Sequence, residues 1–178
     1  MMSQTESPSS SENRAISDVE FMITRVFTVP RELVFKAWVE PERLAQWWGP
    51  AGFTMKVLQL EAVPGGVFHY ALRSPTGFTM WGKFNYQEII PPERIVSTLS
   101  FADEQGHPVR HPMSPTWPLE TLNILTLTET DGKTALTLRS SPHEASELES
   151  KTFRDGHDGM TAGFNATFAQ LAHYLGTS

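Results

Sequence analysis

The chain has 178 residues, enough for one domain with a substantial core, and 39% of them are hydrophobic and 11% aromatic. The lack of cysteine excludes disulfides, thiolate nucleophiles and Cys-based metal sites, and a net charge of −6 argues against binding nucleic acid through its phosphates. No apolar stretch approaches the roughly 18 residues that a membrane-spanning helix needs.

The N-terminal segment, residues 1–17, is rich in serine and poor in apolar residues. It has neither the basic start nor the apolar middle of a secretory signal peptide. We therefore expect a disordered tail over residues 1–17, a single domain over residues 18–178 and a cytoplasmic protein.

A strand followed by two short helices opens the predicted domain. Apolar alternation predicts the strand over residues 19–27. Pro30 and Pro41 each stand where proline favours the first turn of a helix. Each helix has one apolar face, and the residues of the two faces are Leu33, Val34, Ala37 and Trp38, then Leu44, Trp47 and Trp48.

Six more strands follow in quick succession, separated by residues typical of turns. Their predicted ranges are 54–60, 67–73, 79–89, 94–101, 119–129 and 134–140. Asp131-Gly132, between the last two ranges, is typical of a tight hairpin. Short connections predict an antiparallel meander of about seven strands. The segment 102–118 carries four prolines and is predicted to be a long functional loop.

A long helix is predicted at the C-terminal end, over residues 158–175. Its apolar stripe consists of Met160, Phe164, Phe168, Leu171 and Leu175. The polar segment 142–158 predicts a separate helical turn before it. The fold class is therefore α+β, a curved antiparallel sheet wrapped around a long C-terminal helix, with two short helices after the first strand.

Several short segments, taken in their order and spacing, have the pattern of a known family. They are Pro30-Arg31-Glu32-Leu33-Val34-Phe35, Trp47-Trp48-Gly49-Pro50 with Gly52-Phe53-Thr54, Pro64-Gly65-Gly66, Pro91-Pro92-Glu93-Arg94, Trp117-Pro118-Leu119, and Gly159-x-x-x-Gly163 with Leu171 and Leu175. Over residues 19–175 the chain resembles the SRPBCC superfamily, which includes START domains and the birch-pollen-allergen group. Within it, the chain is most similar to the heat-shock protein 90 ATPase activator homologues. The resemblance implies a helix-grip fold, and the chain departs from it at Phe164, where such proteins often have Trp.

A cavity is expected in such a fold, because the gap between a curved sheet and one helix is seldom filled completely. A largely apolar pocket of roughly 300–1,000 Å³ is typical of ligand sites. The loop 102–118 would form its lid. The candidate ligand-binding residues are Trp48, Phe53, Phe68, Tyr70, Phe101, Trp117, Phe164 and Phe168.

Two residue pairs in these motifs have a packing interpretation beside the functional one. At least one of Trp47 and Trp48 is expected to anchor the second helix rather than line a pocket. For Gly159 and Gly163, we favour close approach of the helix to the sheet over contact between a ligand and the backbone.

The histidines do not predict a metal or catalytic site. His107 and His111 have the spacing of helical metal ligands, but the prolines that follow each of them disfavour a helix, so no metal is expected. His69 is predicted to lie at the surface, on the outer face of its strand. Asp158 is predicted to cap the long helix.

Three functions stay open from the sequence. The favoured one is a non-enzymatic module that binds a small apolar or amphipathic molecule. The second, implied by the resemblance, is a co-chaperone-like role with a chaperone as partner. The third is a cyclase- or hydrolase-like enzyme, although no catalytic constellation is evident. No cofactor is expected, because no cofactor-binding motif is present. The oligomeric state is open, with a homodimer among the alternatives.

Overall fold

The computed structural model describes residues 19–176, so the tail predicted over residues 1–17 lies outside the described residues. The elements in chain order are β1 (Phe21–Phe27), α1 (Arg31–Val39), α2 (Pro41–Trp47), β2 (Thr54–Leu60), β3 (Val67–Arg73), β4 (Thr79–Ile90), β5 (Arg94–Ala102), β6 (Pro108–Val109), β7 (Glu120–Thr130), β8 (Lys133–His143), α3 (Glu147–Asp155) and α4 (His157–Tyr174).

One antiparallel sheet contains all the strands, in the order β1-β8-β7-β5-β4-β3-β2, with β6 paired to the end of β5. The long helix α4 packs on the inner face of this sheet, and α1 and α2 cover part of the same face. The predicted α+β helix-grip fold is confirmed. No helix within residues 19–176 combines the length and apolar character needed to cross a membrane.

The core follows from strand alternation, because successive side chains of a strand point to opposite faces. Phe68, Tyr70 and Leu72 of β3 are buried on the inner face, as predicted. Leu136 and Leu138 of β8 are buried on the same face near the other edge. Burying such side chains stabilises the fold by about 1.5–3 kcal/mol each.

The first helix differs from its predicted apolar face. Leu33 is 41% exposed, whereas Phe35 is buried together with Val34 and Trp38. Phe35 and Trp38 are three residues apart and therefore share a helix face, which turns Leu33 away from the core. The buried face of α1 therefore includes Phe35 in place of Leu33, which was predicted to share the apolar face with Val34, Ala37 and Trp38.

The hairpin predicted between the last two strands is confirmed. Asp131 and Gly132 form the two-residue connection of β7 and β8, with φ of 52° and 75°. Both residues therefore adopt the left-handed conformation that a two-residue hairpin of this type requires.

The segment 102–118 is partly ordered by its own short strand. Val109 of β6 pairs with Phe101. The Asp103 carboxylate accepts hydrogen bonds from the backbone N–H groups of Gln105 and His107, at 3.0 and 2.8 Å. This turn lies over His69, whose Nε2 is 3.0 Å from the Asp103 carbonyl oxygen. His69 is only 7% exposed, so its predicted surface position is wrong: it lies on the outer face, but the turn covers it.

The start of α4 also differs from expectation. Its N-cap is Gly156, with no side-chain hydrogen bond at the cap, so the prediction that Asp158 caps the helix is wrong. The reason is that α3 ends at Asp155, one residue before the cap, and Asp158 is already helical. The separate helix predicted before α4 is confirmed as α3, which begins with a capping box of Ser146 and Glu149.

Candidate ligand-binding cavity

A cavity of about 460 Å³ lies between the inner face of the sheet and the first half of α4. Its walls come from β3, β4, β5, β7 and β8, from residues 48–51 after α2, from parts of the segment 111–119 and from residues 160–167 of α4. The volume falls in the range of small-molecule sites, which is roughly 300–1,000 Å³.

The structure places five of the eight predicted site residues on this wall. They are Trp48, Tyr70, Phe101, Trp117 and Phe164. Phe68 and Phe168 are fully buried in the core, and Phe53 packs against that core from a half-buried position. Phe168 lies one turn beyond Phe164, where α4 contacts the core, so its ring faces packed side chains. That any of the eight residues contacts a ligand stays a prediction.

The two adjacent tryptophans have different roles. Trp47 is 2% exposed, and its Nε1 donates a hydrogen bond to the carbonyl oxygen of Ala37 at 2.9 Å, which joins α2 to α1. Trp48 follows the last residue of α2 and lies on the cavity wall, edge-to-face with Phe84 at a centroid distance of 5.4 Å. The expectation that at least one of the pair anchors the second helix is confirmed.

The two helix glycines do not bring α4 close to the sheet. A Cβ atom built on Gly159 or Gly163 would meet no atom within 4 Å, so the packing interpretation is wrong. The cavity lies between α4 and the sheet here, and Gly163 is part of its wall. The helix therefore exposes backbone to the cavity at Gly163, which allows a bound molecule to approach closely.

Two titratable side chains belong to the wall. Burial raises the pKa of Tyr70 to about 12, so its phenol is neutral at physiological pH. Burial also lowers the pKa of His111. His111 Nδ1 accepts the backbone N–H of Met113 at 3.0 Å, which leaves the hydrogen of the neutral ring on Nε2. The His111 ring packs against Phe101 and Trp117.

The segment that carries His111 and Trp117 is tied to α3. Arg110 forms an ion pair with Glu149 and also donates a hydrogen bond to the Trp117 carbonyl oxygen at 3.3 Å. The Thr152 hydroxyl donates a hydrogen bond to the Thr116 hydroxyl at 2.9 Å. Hydrogen bonds from Ser146 and Arg110 lower the pKa of Glu149 to about 2. One side of the cavity is therefore held by contacts between residues 110–117 and α3.

Sequence reasoning missed a polar part of the wall. Thr121 and Asn123 of β7 and Ser140 of β8 line the cavity and are buried. The signal was present: Thr121 and Asn123 alternate in phase with Leu125 and Leu127, which a sheet facing a core would bury.

The wall carries almost no charge. Among its residues, all from the described part of the chain, there is no Asp, Glu, Lys or Arg. Residues 19–176 also contain no group of three side chains suited to holding a metal ion. The arrangement is suited to an uncharged molecule, because an isolated charge would lose its hydration without gaining a partner.

Known proteins match the chain in sequence and in structure. A family model described as Activator of Hsp90 ATPase homolog 1-like protein matches residues 28–176. No curated protein matches the sequence.

Solved bacterial structures have the same fold at low identity. A protein from Mycobacterium smegmatis is 23% identical with a TM-score of 0.72, over 90% of this chain and 92% of that one. A protein from Arthrobacter aurescens is 24% identical with a TM-score of 0.76, over 90% and 88%. The AHSA1 protein from Silicibacter pomeroyi is 19% identical with a TM-score of 0.65, over 88% and 97%. At such identities the structures show the fold alone, whereas the family match spans most of the chain. The chain therefore belongs to the family of Activator of Hsp90 ATPase homolog 1-like proteins.

Proposed function

We propose that this protein binds an uncharged, mainly apolar small molecule between the sheet and α4. The observation that carries the proposal is the cavity of about 460 Å³ with aromatic walls and no Asp, Glu, Lys or Arg among its described lining residues. An aromatic or alicyclic molecule of a few rings suits these walls, because flat apolar surfaces stack well on Trp, Tyr and Phe.

Binding without chemistry is the better supported use of this cavity. General acid–base catalysis needs a side chain that exchanges protons near neutral pH and a partner that orients it. Tyr70 holds its proton far above neutral pH, and His111 is flanked by the rings of Phe101 and Trp117. A cyclase- or hydrolase-like activity therefore ranks below binding.

The test blocks the cavity with a large side chain introduced on α4. Ala166 of α4 lines the cavity at an exposed position, and Ala169, one turn further along α4, is exposed without lining it. We expect neutral aromatic compounds to raise the melting temperature of the natural protein and of Ala169→Trp, but not of Ala166→Trp. Native mass spectrometry of the purified protein would show whether a molecule already occupies the cavity.

Two outcomes of this test contradict the proposal. One is the absence of stabilisation by any neutral compound across a broad set of sizes, with no co-purified molecule. The other is equal stabilisation of both tryptophan variants, because binding would then take place elsewhere on the surface.

The second candidate function is a co-chaperone-like role, which rests on the family match alone. The partner would be a chaperone of the Hsp90 class, in the cytoplasm. An ATPase assay with the Hsp90 of the same organism tests it, since a co-chaperone would change the rate. An unchanged rate at saturating protein would discard this candidate. An effect that persists in Ala166→Trp would separate the role from the cavity.

A further inference from the structure

A second, much smaller cavity of about 30 Å³ lies beside the large one. The two share four lining residues, which are Trp48, Leu99, Asn123 and Phe164. This inner pocket therefore adjoins the large cavity on the side that faces the core. A cavity of about 10–15 Å³ is enough to admit one water molecule, so the inner pocket has room for a small polar group. It is far smaller than the large cavity, so only a small part of a ligand would enter it.

An unpaired hydrogen-bond donor belongs to one of the residues that line the inner pocket. Trp38 lines it, is 6% exposed, and its Nε1 has no hydrogen-bond partner among residues 19–176. A buried donor without a partner loses its hydrogen bonds to water and destabilises the folded state, so such groups are uncommon in folded proteins. An indole N–H only donates, so an atom with a lone pair is needed to satisfy it.

A row of polar side chains crosses the sheet at the same place. Ser97 of β5 is directly opposite Asn123 of β7, which is opposite Ser140 of β8, and all three are buried. Ser97 and Asn123 line the inner pocket, and Asn123 and Ser140 line the large cavity. Asn123 therefore stands at the boundary between the two.

The Asn123 carboxamide has unused hydrogen-bonding capacity. Within residues 19–176 its side chain makes one hydrogen bond, from Nδ2 to the Thr121 hydroxyl at 3.3 Å. A carboxamide offers two donors and an acceptor oxygen, so one hydrogen and the oxygen remain for another molecule. Asn123 is only 8% exposed, so these unused groups of its side chain are more accessible to the cavities than to bulk solvent.

We propose that the boundary at Asn123 is a polar subsite that binds one hydroxyl or carbonyl oxygen of a neutral ring compound. This inference rests on the proposed function, since the apolar body of the same ligand occupies the large cavity. An oxygen fits the subsite because it accepts from Trp38 or Asn123, and a hydroxyl also donates to the Asn123 oxygen. The ligand class is therefore phenols, cyclic alcohols and cyclic ketones rather than plain hydrocarbons or ions.

The experiment compares two probes that differ by one hydroxyl group, naphthalene and 2-naphthol. Dissociation constants are measured by calorimetry at pH 7 on the full chain and on Asn123→Leu, which replaces the amide by an apolar group of similar size. We expect the preference for 2-naphthol over naphthalene to fall roughly fivefold or more in Asn123→Leu. The dissociation constant of naphthalene is expected to change little.

A matched control lies on the other face of the sheet. Asn85 of β4 is half-buried on the outer face and contacts the Thr98 hydroxyl at 3.4 Å. Asn85→Leu is expected to leave the preference between the two probes unchanged. Ser97→Ala removes one oxygen from the inner pocket and is expected to lower the preference for 2-naphthol. If Asn123→Leu does not fold, the result with Ser97→Ala decides whether the subsite exists.

The outcomes separate this inference from the proposed function. If both probes bind and the preference is the same in the natural protein, Asn123→Leu and Ser97→Ala, the proposed function stands and the subsite is overturned. If neither probe binds any folded form, the proposed function fails for ligands of this size, and the subsite falls with it.

Discussion

Tyr70 of β3 lies directly opposite Gly82 of β4, and its phenol occupies the space that a side chain at Gly82 would fill. Both residues line the large cavity. The position of the Tyr70 ring on the cavity wall therefore depends on the missing side chain across the strand pair. Strand interiors rarely contain glycine unless another group approaches closely, and here that group is an aromatic ring.

The first prediction concerns this pair. Gly82→Ala is expected to push the Tyr70 ring towards the cavity and to lower the free energy of unfolding by about 1–3 kcal/mol, the usual cost of overpacking. Urea denaturation measures this cost. In a Tyr70→Leu background the same alanine should cost much less, because its Cβ would no longer meet a ring. Equal costs in both backgrounds would show that the two residues do not interact.

The second prediction compares the two glycines of α4. Gly159→Ala and Gly163→Ala should each raise the free energy of unfolding by about 0.5–1 kcal/mol, because alanine favours helix and both sites have space for a methyl group. Only Gly163 lines the cavity. Gly163→Ala should therefore weaken binding of the largest ligands that the cavity accepts, measured by calorimetry, while Gly159→Ala should not. Unchanged binding in both would place the ligand away from α4.

The third prediction separates the adjacent tryptophans. Trp47→Phe should lower the free energy of unfolding by about 1–3 kcal/mol, because it removes buried volume and the hydrogen bond to Ala37. Trp48→Phe should cost less stability and instead weaken binding of neutral aromatic ligands. Denaturation and calorimetry on both variants test this division, and a reversed pattern would contradict it.

The fourth prediction concerns the tie between residues 110–117 and α3. Arg110→Ala should leave the free energy of unfolding within about 1 kcal/mol of that of the natural protein, because the Arg110 side chain is 52% exposed and ion pairs near the surface contribute little. It should speed the release of a bound ligand severalfold, since Arg110 joins Glu149 of α3 to the Trp117 backbone beside the cavity. Stopped-flow displacement measures the release rate. Arg154→Ala is the control, because Arg154 contacts its neighbour Asp155 at the surface.

The fifth prediction is a pH dependence set by His111. Burial places its pKa in the folded protein below the usual value of about 6.5, so the folded state favours the neutral ring. The unfolded chain then binds a proton first as pH falls, and stability is lost as the pH drops below the usual value and through the folded-state pKa. Protonation also breaks the bond that Nδ1 accepts from Met113. His111→Phe should remove this part of the pH dependence, measured by urea denaturation between pH 7.5 and pH 5. An unchanged pH profile would contradict it.

Local patterns were sufficient for most of the fold. The strands β2 and β3 begin and end where turn residues and alternation predicted, and the Asp131-Gly132 hairpin has the backbone angles its sequence requires. His69 shows the limit of such reasoning. Alternation correctly placed it on the outer face, but its burial depends on a turn more than thirty residues away that folds over that face.

The alternation of side chains, the turns and the long apolar stripe of α4 were determined by the sequence, because each depends on residues that are neighbours along the chain. Which aromatic rings face open space was decided by the tertiary structure. Phe164 and Phe168 lie on one stripe, yet only Phe164 reaches the cavity, because α4 stands away from the sheet at one end and contacts the core at the other. The polar boundary at Asn123 arises in the same way, since strand pairing brings Ser97, Asn123 and Ser140 into one row from distant parts of the chain.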